Sequence, residues 1–118
     1  MKRGDIYWAE FDPVRGSEAN KRRPCVIVSN DAANDVAAQL GLGVVTVVPT
    51  TTNVRRILPF QVLIRAAGSG LKADSKAQVE QIRALAVERF GPRLGRVSTG
   101  EMAQIDRALK LQLNLLRP

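Results

Sequence analysis

From Asp5 to Leu85 the chain returns repeatedly to runs of five to eight strand-forming residues, most of them closed by glycine, proline or a polar cluster. That rhythm restricts the fold more than any other feature, because runs so short can bury a strand face but not a helix stripe. Asp5–Phe11 sets Ile6 and Trp8 against Tyr7, Ala9 and Phe11, as in a strand covered on both faces. Pro24–Ser29 is predicted as a second strand, with proline at its first position. Val44–Val48 is β-branched throughout and is expected to stop at Pro49. Phe60–Ile64 makes a fourth strand. Asp31–Leu40 is predicted as a short helical turn, capped by Asn30 or Asp31 and ended by Gly41. Gln78–Leu85 fits neither period cleanly; we read it as a strand, followed by one helical turn through Glu88 and Phe90.

The C-terminal segment changes period. Ser98 and Glu101 form an S-x-x-E capping box, with Val97 and Met102 placed as a hydrophobic staple. Met102, Ile105, Leu109, Leu113 and Leu116 then recur at helical spacing, so a helix is predicted to lay one apolar face on the sheet. Leu111 and Leu115 fall off that stripe and are expected either to be partly exposed or to mark a partner surface, a second copy of the chain being the favoured partner. The expected fold is mainly β: a small, mostly antiparallel, barrel-like sheet closed by one C-terminal helix, in one domain spanning residues 1–118.

Charge narrows the function. Eighteen Lys and Arg against eleven Asp and Glu give a net charge of +7, so an anionic partner is expected, nucleic acid first. There is no histidine and only one cysteine, Cys25, which excludes a disulfide within the chain and removes the usual metal ligands. Cys25 lies in an apolar run and is expected to be a small buried hydrophobe rather than a nucleophile. The start MKRGDIYW has no apolar stretch behind its cations, and the uncharged run Val36–Val54 is broken by Gly, Pro and Thr. Neither a secretory signal nor a membrane span is expected, and the chain is assigned to the cytoplasm.

Two polar segments carry the chemistry. One, DPVRGSEANKRR, is too long for a hairpin turn and ends in Lys21, Arg22 and Arg23; the other holds Thr50, Thr51, Thr52, Asn53, Arg55 and Arg56. If the strands they border are neighbours, cations, hydroxyls and a carboxamide meet at one end of the sheet. Those residue types suit a phosphate. RNA brings its own nucleophile, the 2′-OH, so cleaving it requires in-line positioning, a cation on the developing phosphorane and proton transfer, with no metal or other cofactor.

The pieces GDIYWAEFDPVRGSE, RRPCVIVSN, VVPTTTN, PFQVL, EQIRAL and GRVSTGEMAQIDRALKLQL occur in the order that characterises one family, and over nearly the whole chain they resemble the MazF toxin endoribonucleases of bacterial toxin–antitoxin modules, the PemK- and Kid-like toxins. The resemblance implies an SH3-like antiparallel β-barrel of the CcdB/PemK type with a C-terminal helix, acting as a homodimer. It implies metal-independent, sequence-specific cleavage of single-stranded mRNA, and an acidic, MazE-like antitoxin laid over the basic cleft. Arg23 takes the place of the catalytic arginine, Thr51 of the catalytic threonine and Glu18 of the G-S-E glutamate. Arg23 would stabilise the phosphorane and help protonate the leaving 5′-oxygen, while Thr51 donates to a non-bridging oxygen. Glu18 is the more comfortable base on pKa grounds, although the family credits the arginine with both proton transfers. Lys21, Arg22, Ser29, Asn53 and Arg55 are expected to contact RNA. One branch of the family carries an Arg-x-Asp pair where this chain has Gln78 and Glu80, so that variant mechanism lacks its arginine here. Two other readings stay open: a gyrase-binding toxin of the same fold, disfavoured because the only tryptophan is Trp8 and not in the tail, and a nucleic-acid-binding module without catalysis.

Overall fold

A computed structural model describes residues 1–11 and 22–116. Seven strands and two helices follow one another as β1 (Asp5–Glu10), β2 (Arg22–Ile27), α1 (Asp31–Leu40), β3 (Val44–Thr51), β4 (Gln61–Ile64), β5 (Ser75–Gln78), β6 (Arg83–Ala86), β7 (Phe90–Arg96) and α2 (Thr99–Gln112). The sheet order is β4-β5-β3-β2-β1-β7, with β6 also on β3, and every pairing is antiparallel.

Both faces of the sheet are covered, as the two-sided pattern of β1 requires. Ile6, Val26, Val48, Val62, Ala77 and Val79 pack on one side with Ile105 and Ala108 of α2. Ala9, Phe11, Cys25, Ile27, Val45 and Val47 pack on the other with Ala37 of α1 and Leu85 of β6. The helix ends follow their sequence signals. Asn30 caps α1 by accepting from Ala33 N, and Gly41 closes it with φ 64°, in the left-handed region that glycine enters without strain. The α2 capping box forms in full between Ser98 and Glu101.

Two prolines redraw the strands. β2 begins at Arg22, two residues earlier than expected, and Pro24 sits third in a strand paired on both sides. Pro24 is the partner of Trp8 in β1, and having no N–H it can only form a non-hydrogen-bonded pair there, which turns its nitrogen toward β3. The β2–β3 register accordingly stops at Cys25–Pro49, and the Thr50 hydroxyl donates to the Pro24 carbonyl at 2.8 Å beyond it. Pro49 does not end β3, which runs on to Thr51. By the same reasoning the nitrogen of Pro49, paired with Cys25, faces the outer edge of β3. That edge pairs with β6 over Val44–Val47 and with β5 over Thr50–Thr51. Between them, opposite Pro49, the partner strand leaves the ladder in a 3₁₀ turn at Val79–Gln81. The single strand expected over Gln78–Leu85 is thus two strands parted by a turn. A second 3₁₀ turn, Val87–Arg89, leads into β7.

Among the described residues the barrel is not closed by hydrogen bonds: no ladder joins β4 to β7. Close backbone packing bridges part of the gap, since a Cβ on Gly70 would lie 1.9 Å from the Leu94 carbonyl oxygen and one on Gly95 would lie 1.9 Å from that of Ser69. α2 is also shorter than its apolar stripe. It ends at Gln112, so Leu113 and Leu116, expected on the buried face, are exposed together with Leu111 and Leu115.

Replacing Gly95 by Ala is expected to cost about 2 kcal/mol, because the colliding group is backbone that cannot rotate away. Gly100→Ala in α2, which meets nothing closer than Ser98 Oγ at 4.0 Å, should be neutral or stabilising. Urea midpoints measure both; equal midpoints would place the Gly70–Gly95 contact outside the stable structure.

Candidate phosphate-binding site

Alternation along β2 separates the paired arginines. Arg22 and Pro24 share the sheet face of Ile6 and Val26, whereas Arg23 and Cys25 share that of Ala9 and Ile27. Continuing the β2–β3 register two residues past Cys25–Pro49 brings Arg23 opposite Thr51, with Ala9 as its partner on the β1 side and Lys76 as the partner of Thr51 on the β5 side. The small Ala9 leaves room beside the arginine.

Two clefts meet at this pair. One, of about 360 Å³, is lined by Phe11, Pro49, Gln78, Gln81 and Arg83 together with Arg23 and Thr51. The other, of about 220 Å³, is lined by Trp8, Arg22, Pro24, Thr50, Thr52 and Ser75, again with Arg23 and Thr51. Arg23 and Thr51 form the ridge between them. An arginine stacks on an aromatic ring on either side: the Arg22 guanidinium lies 5.7 Å from the Trp8 ring centroid, and that of Arg83 lies 5.6 Å from the Phe11 centroid.

The ridge has unused hydrogen-bonding capacity. Among the described residues no acceptor engages the Arg23 guanidinium, although the side chain is half-buried. A guanidinium held partly out of water without an anion is an anion site by its chemistry. Thr51 Oγ1 accepts from the Asn53 backbone N–H at 3.3 Å, and among the described residues nothing accepts its hydroxyl hydrogen, which can donate outward. The three threonines therefore divide. Thr50, 2% exposed, ties β3 to β2; Thr51 faces the clefts; Thr52 is exposed.

The loop beyond Thr51 is pinned in several places. Asn53 Oδ1 accepts from Arg55 N at 3.4 Å, Lys76 Nζ donates to the Arg56 carbonyl at 2.7 Å, and Gln61 Oε1 accepts from Leu58 N at 3.0 Å. Gln61 Nε2 donates in turn to Glu80 Oε2 at 2.8 Å. Glu80 thereby helps hold the loop. Arg55 and Arg56 extend the cationic surface into solvent.

The structure thus brings Arg23 and Thr51 together, puts Arg22 on the adjoining cleft, and leaves Asn53 and Arg55 on the loop beside them. Ser29 stands apart. It lies six residues past Arg23, roughly 20 Å along the strand direction, and its hydroxyl donates to Asn34 Oδ1 at 2.5 Å and accepts from Thr46 N at 3.0 Å. Glu18 and Lys21 fall outside the described residues. Cys25 is fully buried between the strands, and burial pushes its thiol from an ordinary value of 9.0 up to about 12, with a backbone hydrogen bond from Tyr7 acting weakly the other way. It has no part in proton transfer near neutrality. Sequence reasoning missed Trp8, Phe11, Gln78, Gln81 and Arg83, whose roles depend on strand alternation and on the turn opposite Pro49.

With this geometry established, comparison with known proteins gives the class. Residues 2–113 match the family of PemK-like, MazF-like toxins of type II toxin–antitoxin systems, and the chain belongs to that family. It is 56% identical over 115 residues to endoribonuclease MazF9 of Mycobacterium tuberculosis, covering 98% of each chain. Among solved structures it is similar to a mycobacterial endoribonuclease in complex with its cognate antitoxin, with TM-score 0.76 and 28% identity over 100% of this chain and 99% of that one. The M. tuberculosis toxin MazF-mt6 shares the fold with TM-score 0.77 at 24% identity, over 96% of this chain and 99% of that one.

The division among the threonines can be tested by stability alone. Thr50→Val should destabilise the protein by about 1–2 kcal/mol, by leaving the Pro24 carbonyl without its donor, while Thr51→Val should stay within about 0.5 kcal/mol of wild type. Equal effects in urea denaturation would reject the assignment. The Cys25 thiol should resist a disulfide reagent at pH 8 in the native protein and react at once when unfolded.

Proposed function

We propose that this chain is the toxin of a type II toxin–antitoxin module and cuts single-stranded mRNA at specific sequences without a metal, stopping translation and growth in the cytoplasm. The observation that carries this reading is the half-buried Arg23 guanidinium, opposite Thr51 and without a protein acceptor among the described residues, on a ridge between two clefts. The family and the endoribonuclease relatives supply the reaction class.

In the proposed reaction the 2′-oxygen of one nucleotide attacks the adjacent phosphorus while the 5′-oxygen of the next leaves. The products are a 2′,3′-cyclic phosphate and a 5′-hydroxyl. Arg23 spans the non-bridging oxygens as charge builds on the phosphorane, and Thr51 donates its free hydroxyl hydrogen to one of them. Arg23 also hydrogen-bonds the departing 5′-oxygen and supplies its proton as the P–O bond breaks. Glu18 keeps the role of base, since an arginine accepts a proton poorly near neutral pH. Arg55, Arg56 and Lys76 supply long-range attraction for the RNA backbone.

Two macromolecular partners belong to this reading besides RNA. An acidic antitoxin segment fits a face rich in arginine, and the solved relative with its cognate antitoxin supports it. A second copy of the chain fits the exposed Leu111, Leu113, Leu115 and Leu116 at the end of α2.

Incubating the protein with a long RNA in a metal chelator should give discrete fragments with 5′-hydroxyl ends. Arg23→Ala and Thr51→Ala should each slow cutting by roughly 10²–10³-fold. Intact RNA with the wild-type protein would sink the nuclease reading. Neutralising Arg55 or Arg56 should lower the slope of log affinity against log salt by about 0.7 per lost phosphate contact; an unchanged slope would place that arginine off the RNA path.

A further inference from the structure

The smaller cleft has a built arrangement that phosphate binding does not use. Arg22 lies over the Trp8 ring, and among the described residues its guanidinium makes no hydrogen bond or ion pair. β7 makes room for it with Gly91, where a Cβ would come within 3.3 Å of Arg22 Nη2 and 3.3 Å of Trp8 Cβ. The guanidinium and indole thus line a pocket of about 220 Å³ whose other edge is the Arg23–Thr51 ridge. Thr52 adds a hydroxyl that no other described group engages.

We propose that this pocket takes one nucleobase next to the cut, stacked on the Arg22–Trp8 pair, and that it sets the base preference on that side of the scissile phosphate. The inference rests on the RNA-cleaving function proposed above. Four features support it. A cation–π pair offers a planar, sequence-tolerant surface, and base–aromatic stacking is a recurrent means of holding single-stranded nucleic acid. The volume lies below the roughly 300–1,000 Å³ of a drug-sized site, the scale of one planar base. The pocket shares Arg23 and Thr51 with the larger cleft, so a strand whose phosphate lies on the ridge puts its two neighbouring nucleotides in different clefts, on opposite faces of the sheet. Trp8 and Arg22 belong to the sheet itself, through the β1–β2 ladder, so the platform is rigid.

Trp8 is the only tryptophan, so its emission reports on this pocket alone. The probes are four 2′-O-methyl homodecamers, which lack a nucleophile, and a 2′-O-methyl decamer spanning the strongest mapped cut. Saturable quenching of Trp8, with the midpoint seen by anisotropy of a labelled decamer, is expected. Arg22→Gln, an exposed change, should weaken decamer binding roughly tenfold to a hundredfold and alter base frequency at one position beside the mapped cuts. Trp8→Phe, which keeps a ring in the strand, should retain more binding than Arg22→Gln. Cutting by wild type with Trp8 emission unmoved by bound decamer, and the same base frequencies in Arg22→Gln, would overturn the stacking site and leave the nuclease intact. Quenching without any cutting would keep the stacking site and overturn the nuclease; neither binding nor cutting would overturn both.

Discussion

The site depends on two missing N–H groups. Pro24 and Pro49 sit on adjacent strands in the middle of the sheet, where a proline ordinarily breaks a ladder. Here each break faces a place where something else is built. At Pro24 the ladder toward β3 gives way to the Thr50 side chain, which holds the strands together while freeing the next residues, Arg23 and Thr51, from backbone pairing with each other. At Pro49 the outer strand turns away for five residues and opens the larger cleft. Both prolines thereby shape the surroundings of one guanidinium.

Rigidity follows from the same pairing. Arg23 lies inside β2, paired with Ala9 of β1 and two residues before the ladder to β3 begins at Cys25, so its backbone is held by the central strands. An arginine on a mobile loop would lose more side-chain and backbone freedom on meeting a phosphate. Preorganised donors matter most where charge develops in a transition state, because they need no reorganisation at the moment of reaction. The Lys76–Arg56 and Gln61–Glu80 hydrogen bonds extend that stiffness to the loop after Thr51.

Much of the fold was legible in the sequence because its signals are local. The α1 and α2 caps, the β-branched core of β3 and the two-sided pattern of β1 each depend on a few neighbouring residues. What was not legible depends on partners. Pro49 reads as a stop because its neighbours do not show that the strand opposite bends away. The Leu113 and Leu116 positions continue the helical spacing, yet α2 ends before them. For the site, the convergence of the RRP and TTTN segments rests on β2 and β3 being neighbours, which they are, and Arg23 and Thr51 line the same two clefts as that convergence requires. The distinction among Thr50, Thr51 and Thr52 needed burial and hydrogen bonds. Ser29 shares a strand-length motif with Arg23 but sits at its other end, tied to Asn34 and Thr46. The separation of Arg22 from Arg23 was available from strand alternation alone, had the strand been started two residues earlier.

The central claim is that Arg23 and Thr51 act together on one phosphate. A double-mutant cycle on single-turnover RNA cleavage tests it most directly, using Arg23→Ala, Thr51→Ala and the double variant. Two groups stabilising the same phosphorane should be strongly non-additive, so the double variant should be little slower than the worse single one. Losses that multiply would mean that the two side chains act independently, and would contradict a shared phosphate site on the ridge.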